Sequence, residues 1–170
     1  MTISIIIAVK TWQKNLEECV SRCLELDFPD FEVIILPDYS LQMNLDSRIR
    51  LIPTAEVTPP RKRDIGIKEA KGDIVAFIDD DAYPIKDWLK HAAENFKDDS
   101  VAAVCGPAVT PDSDSLMKKA SGEVYSSTLV SANFIYRYIP KKRMEVQDYP
   151  SCNLIVRKSV IEALGGFNTN

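Results

Sequence analysis

The sharpest chemical feature of this 170-residue chain is Asp79-Asp80-Asp81, three carboxylates placed directly after the apolar run Ile74-Val75-Ala76-Phe77-Ile78. Adjacent like charges raise one another's pKa unless something positive joins them, and a divalent cation meets that need. Mg²⁺ or Mn²⁺ takes one or two protein carboxylates and shares the rest of its shell with phosphate oxygens and water. The other reading of the triplet is an acidic turn opening the next helix, with Asp81 as a partner of the helix dipole. Arg61-Lys62-Arg63 is the basic complement. The six glycines form neither GxGxxG nor GxxxxGK[ST], so a diphosphate would rest on a metal and these side chains instead of a glycine-rich loop. A solvated helix start is the competing account of the basic triplet.

Other reactive residue types point away from chemistry. The single histidine, His91, falls in an amphipathic stretch away from strand ends and reads as a surface residue, which leaves a Ser-His-Asp triad or a histidine zinc site without support. Cys19 and Cys23 lie four apart on one helix face with no third thiol or histidine near them, so apolar packing is the better reading. Trp88 falls on an apolar stripe and reads as core. Trp12, just past the first strand, either borders a ligand or closes the end of the sheet.

Positioning these groups requires elements, and short apolar runs alternate with longer amphipathic stretches along the first two thirds of the chain. Strands are predicted at 3–9, 31–36, 48–52, 73–78 and 101–104. Helices are predicted at 13–26, through Ile65, Ile67 and Ala70 up to Gly72, and at 85–97; a loop surrounds Pro53, Pro59 and Pro60. The first strand is β-branched and apolar on both faces, as a strand buried in a parallel sheet must be. In such sheets ligands bind at the carboxyl ends of the strands, where the aspartates stand. Past Pro111 the pattern changes to one long helix over 115–139, a basic loop Lys141-Lys142-Arg143, a strand at 153–156 and a last helix into Gly165-Gly166.

Bulk properties agree with one α/β domain. A chain of this length buries about 70% of its unfolded surface, and 45% hydrophobic with 27% charged residues is ordinary globular composition. The net charge of −4 argues against bulk affinity for nucleic acid. Four scattered cysteines without a CxxC pair suggest reduced thiols and a cytoplasmic setting. The opening Met1-Thr2-Ile3-Ser4 has no basic leader, and no run reaches the ~20 apolar residues of a membrane span.

Taken in order, these pieces resemble the family 2 glycosyltransferases of the GT-A fold, over essentially the whole chain. Ser4-Ile5-Ile6-Ile7-Ala8-Val9 is similar to the family's opening strand, and Phe31 through Leu36 with Pro37-Asp38-Tyr39-Ser40 to its second strand and acidic turn. Arg63-Asp64-Ile65-Gly66 resembles the Arg-Asn-x-Gly helix start, Asp79-Asp80-Asp81 stands where the family has DxD, and Trp88-Leu89 follows at the usual distance. Asn153-Leu154 and Gly165-Gly166-Phe167-Asn168 resemble the acceptor-side segment.

The resemblance implies a Rossmann-like, mostly parallel sheet flanked by helices, with residues 1–110 binding a nucleotide-sugar donor and 111–170 forming part of the acceptor side. It implies Ala8, Val9, Lys10, Asp38, Arg63, Asp79 and Asp80 around the nucleotide, Asp81 with Asp79 on Mn²⁺ or Mg²⁺, and Gly106, Asn153, Gly165 and Gly166 toward the acceptor. The implied reaction is inverting transfer of a sugar, from UDP by family habit, to a carbohydrate or lipid-linked acceptor. Three positions depart from the pattern: Ala8 replaces a proline, Pro37 an acidic residue and Asp64 an asparagine, which bears on base selectivity. The family's general base belongs to a Glu-Asp motif expected beyond Asn170, and neither Glu145 nor Asp148 is marked as a substitute. Two other functions compete: a nucleotide-sugar binding module without catalysis, and a nucleotidyltransferase, for which Lys10-Thr11-Trp12-Gln13-Lys14 supplies lysines without glycines. The apolar stretch 123–138 followed by the basic loop suggests packing on the sheet, self-association, or peripheral contact with an anionic membrane.

Overall fold

The computed structural model describes residues 1–168, so the last two residues of the 111–170 region lie outside it. Its centre is a six-stranded sheet in the order β3-β2-β1-β4-β6-β5. β1 (Ile3–Ala8), β2 (Phe31–Leu36), β3 (Ile49–Leu51) and β4 (Ile74–Ile78) run parallel. β6 (Asn153–Arg157) enters antiparallel between β4 and β5 (Ala103–Cys105). In the chain the helices are α1 (Lys14–Leu24), α2 (Pro59–Glu69), α3 (Trp88–Asn95), α4 (Leu116–Tyr125), α5 (Thr128–Ser131) and α6 (Lys158–Ala163).

Strand alternation sorts the core into two layers. Ile3, Ile5, Ile7, Val33, Ile35, Ala76 and Ile78 face α1 and α3, where Leu16, Cys19, Val20, Cys23, Trp88, Leu89 and Phe96 complete one cluster. Both paired cysteines are free and buried, and Trp88 is core, as the patterns predict. Ile6, Ile34, Leu36, Val75 and Phe77 face the other way, against Ile67 of α2, Ala70 just past its end and Ile161 of α6. α2 lies close to the sheet because Gly66 has no side chain: a Cβ there would sit 2.7 Å from Ile6 Cγ2.

Two expected boundaries move. Pro59 and Pro60 are the first turn of α2 and not part of a loop, since that turn has no use for the N–H that proline lacks. The long helix expected over 115–139 is three pieces: α4, α5, and a 3₁₀ segment at Ala132–Arg137. Ser126-Ser127-Thr128 divides the first two, because the Ser127 hydroxyl caps a new start by accepting the Leu129 N–H at 3.2 Å. Ala132, with φ +43°, divides the next. Among the described residues no helix is long and apolar enough to cross a membrane.

Candidate functional site

The parallel strands end together, and the segments following β1, β2 and β4 supply the candidate donor residues. Backbone bonds extend the first pair past its last strand residues: Val9 N–H donates to Leu36 O at 3.2 Å, and Asp38 N–H to Lys10 O at 2.9 Å. Val9 is buried, Ala8 partly so, and Lys10 projects into solvent. Asp38 and Asp79 each continue the alternation of their strand on the α2 side of the sheet, so the first turns of α2 reach both.

Those contacts divide the basic triplet and correct the expectation that it acts as one phosphate-holding unit. Arg61 is exposed. Lys62 points inward, is 2% exposed, and donates to the carbonyls of Val9 and Leu36 and to Asp38 Oδ1. Arg63 lies over the Phe167 ring and donates from Nη2 to Asp79 Oδ1 at 3.0 Å. A helix advances by 100° per residue, so three consecutive cations cannot share a direction. Lys62 stands one turn before Gly66 on the buried stripe; that i, i+4 spacing was the sequence signal that placed it inside.

The three aspartates are also distinct. The Asp79 side chain is 40% exposed, and Asp81 is exposed at the start of the turn that leads toward α3. Asp80 is partly buried, and its carboxyl is held above the usual range by burial first and then by the charges of Asp81 and Asp79. Among the described residues no group of three or more His, Cys, Asp or Glu side chains forms a ready metal cage. Accessible carboxylates on Asp79 and Asp81 nevertheless suit Mg²⁺ or Mn²⁺, which take few protein ligands and complete their shell from phosphate and water.

The four residues expected toward an acceptor form two groups. Gly106 and Asn153 meet: Asn153 sits opposite Ile78 in the sheet, donates to Gly106 O at 2.8 Å, and accepts the Trp88 Nε1–H at 2.8 Å. Tyr149 also donates to Gly106 O. The Asn153 amide thus ties α3 to the end of β5. Gly165 and Gly166 lie elsewhere, closing α6 with N–H bonds to Glu162 O and Ile161 O at 3.0 Å, both with φ +84°, and Gly166 stands against Asp64 of α2. Asp64 accepts the Phe167 N–H at 2.8 Å there, and Phe167 packs edge-on against Phe77 with centroids 5.1 Å apart. Asp64 therefore fastens the Gly-Gly-Phe segment, which is the structural consequence of aspartate at this position. Farther out, Asp148 accepts from Arg137 Nη2 at 2.8 Å and from the Tyr136 hydroxyl, and Arg137 before all else holds its carboxyl below the usual range.

With this geometry, the family model for glycosyl transferase family 2 aligns with residues 4–165, nearly the whole chain. The chain belongs to that family. It is 27% identical over 158 residues to the poly(ribitol-phosphate) beta-N-acetylglucosaminyltransferase TarS of Staphylococcus aureus, covering 84% of this chain and 27% of TarS. It is 29% identical over 114 residues to the uncharacterized glycosyltransferase EpsJ of Bacillus subtilis, covering 61% of this chain and 33% of EpsJ. This family 2 chain thus spans about a third or less of those relatives. Among solved structures it superposes on the mannosyltransferase PcManGT of Pyrobaculum calidifontis, in complex with GDP-Man and Mn²⁺. The TM-score is 0.68 at 19% identity, over 99% of this chain and 48% of that one. S. aureus TarS 1-349 in complex with UDP-GlcNAc gives a TM-score of 0.64 at 20% identity, over 97% and 48%. At such identities the likeness establishes the fold, which is GT-A.

Proposed function

We propose that this family 2 chain carries the nucleotide-sugar site of a metal-dependent glycosyltransferase, which passes a sugar from a nucleoside diphosphate, UDP first among them, to an acceptor hydroxyl with inversion. The observation carrying this reading is that α2 brings Lys62 to Asp38 and Arg63 to Asp79 at the carboxyl edge of a GT-A sheet. Asp38 then meets the base. Arg63 keeps Asp79 oriented, and Asp79 and Asp81 are the residues that would hold Mn²⁺ or Mg²⁺. A bound divalent ion neutralises the negative charge that develops on the departing diphosphate. The acceptor hydroxyl attacks the anomeric carbon from the face opposite the diphosphate, so the new glycosidic bond forms as the bond to phosphate oxygen breaks.

The hydroxyl's proton needs a base, a contribution of about 10²–10⁴ in rate. Asp148 is poorly suited, because the Arg137 guanidinium that lowers its pKa weakens it as a proton acceptor. The second reading is a donor-binding module without turnover. The exposed Leu129, Val130 and Phe134, followed in the chain by Lys141-Lys142-Arg143, support peripheral contact with an anionic membrane bearing a lipid-linked acceptor; absence of flotation with anionic vesicles would remove that element.

The central test is calorimetric titration of UDP, GDP and dTDP with and without Mn²⁺, for the wild type and an Asp79→Ala/Asp81→Ala variant. The expected result is binding of one nucleotide that requires metal and is lost in the variant. Metal-independent binding, or none, refutes the reading. Product formation from a bound sugar nucleotide separates the enzyme from the binding module.

A further inference from the structure

Lys62 is a buried ammonium in the first turns of α2, and such a charge persists only when paired and fully hydrogen-bonded. Its Nζ meets three acceptors: the Val9 carbonyl, the Leu36 carbonyl at 3.2 Å, and Asp38 Oδ1. An ammonium has three N–H donors, so all are engaged and none remains for a ligand. The acceptors come from the ends of β1 and β2 and from the acidic turn beyond β2. Lys62 therefore links the two strand ends to Asp38 from beneath. The Asp38 side chain is 12% exposed, so this bond governs a carboxylate with little freedom of its own.

We propose that Lys62 is a positioning residue that sets which nucleobases the site accepts. This inference rests on the donor-site reading above, and it concerns a residue that touches no ligand. By engaging Oδ1, Lys62 fixes the plane of the Asp38 carboxylate and leaves Oδ2 as its remaining acceptor. A carboxylate so held only accepts. It pairs with a ring N–H, which uracil, thymine and guanine carry on their pairing edge, whereas cytosine and adenine present an acceptor at the corresponding ring nitrogen. A hydrogen bond to a charged group is worth about ten- to a hundredfold in affinity, and selection of UDP over CDP by that factor is the consequence.

The test is calorimetric titration of UDP and CDP in the presence of Mn²⁺ into the wild type, Lys62→Met, and Lys62→Met/Asp38→Asn, with thermal melts of each. The double variant removes both charges together, which guards against loss of folding through an unpaired Asp38. The wild type is expected to favour UDP by about tenfold or more. In Lys62→Met the ratio should fall toward one, because the released carboxylate turns its remaining acceptor off the ring N–H; in the double variant the amide both donates and accepts, so its ratio reports the loss of Asp38 and its melt reports folding without the buried pair. A wild-type ratio retained in folded Lys62→Met, with only the melting temperature lowered, would mean that Lys62 is structural and overturns the proposal. Equal wild-type affinity for UDP and CDP overturns it as well. Failure of the wild type to bind any nucleotide refutes the donor-site reading itself, and the proposal with it.

Discussion

Replacing Gly66 by alanine tests whether close contact between α2 and β1 seats the helix that carries Lys62 and Arg63. The new Cβ would lie 2.7 Å from Ile6 Cγ2, 3.3 Å from Ile6 Cδ1 and 3.1 Å from Leu36 Cδ1. Ile6 and Leu36 are 1% and 0% exposed, and the Cγ2 of a β-branched side chain cannot swing aside without moving its strand. Overpacking of this kind costs about 1–3 kcal/mol. Alanine returns about 1 kcal/mol of helix propensity, so the net loss is about 0–2 kcal/mol, a range that includes no change. A cycle with Ile6→Ala decides it. That truncation costs about 2–5 kcal/mol by itself, but it removes both Ile6 atoms that the new methyl meets. The double variant should therefore be more stable than the sum of the single losses predicts, by about 1–3 kcal/mol. Urea titrations at constant m value measure each corner of the cycle. Additivity within about 0.5 kcal/mol would show that Ile6 does not obstruct position 66 and would refute the seating argument.

Two further stability measurements probe other contacts. Gly165 and Gly166 share a φ of +84°, which costs a side-chain-bearing residue about 1–2 kcal/mol, but a Cβ on Gly165 meets open space while one on Gly166 would lie 2.4 Å from Asp64 Oδ1. Gly166→Ala should lower the urea midpoint more than Gly165→Ala; equal losses would show that Asp64 moves aside freely. Burial pushes the Glu32 carboxyl up, but the Lys71 N–H, the Ser4 hydroxyl and Arg50 outweigh it and hold it below its ordinary value. The stability Glu32 contributes is therefore complete above its unfolded pKa of about 4.3 and is lost as pH falls through the lower folded value. Urea midpoints between pH ~5 and ~3 should fall less steeply for Glu32→Gln than for the wild type, and parallel slopes would contradict the assignment.

The sheet was legible because buried parallel strands leave a clear record: Ile74 to Ile78 is apolar on both faces, and so is Ile3 to Ile7 but for Ser4. The placement of the aspartates just past the ends of β2 and β4 was equally visible, since it follows from where the apolar runs stop. The antiparallel entry of β6 was not, because direction depends on the path of the intervening chain and not on local composition. The interruption of the helix after Tyr125 was hidden in a sequence whose apolar spacing continues through Ser126-Ser127-Thr128; capping there outweighs periodicity. Glu32 sits within the apolar run of β2 and gave no warning that Ser4, Arg50 and the Lys71 backbone would satisfy it from three other segments. Lys62 was misjudged by treating three neighbouring cations as a patch, when helical rotation sends them to different environments.

The placement of β6 also orders events in time. β5 has β6 as its one sheet neighbour, and β6 bonds to β4 on its other side. While a chain is being synthesised from its N-terminus, β1 to β4 and the helices on them can assemble as soon as Ile78 is available, ahead of Asp79 and the strands that follow. Residues 103–105 must wait, without a ladder, until the chain has travelled out and returned at residue 153. The two sides of the candidate site therefore have separate birthdays: the strands that lead to Asp38 and Asp79 can pair early, and the strand at 103–105 is joined to them through β6, which comes late.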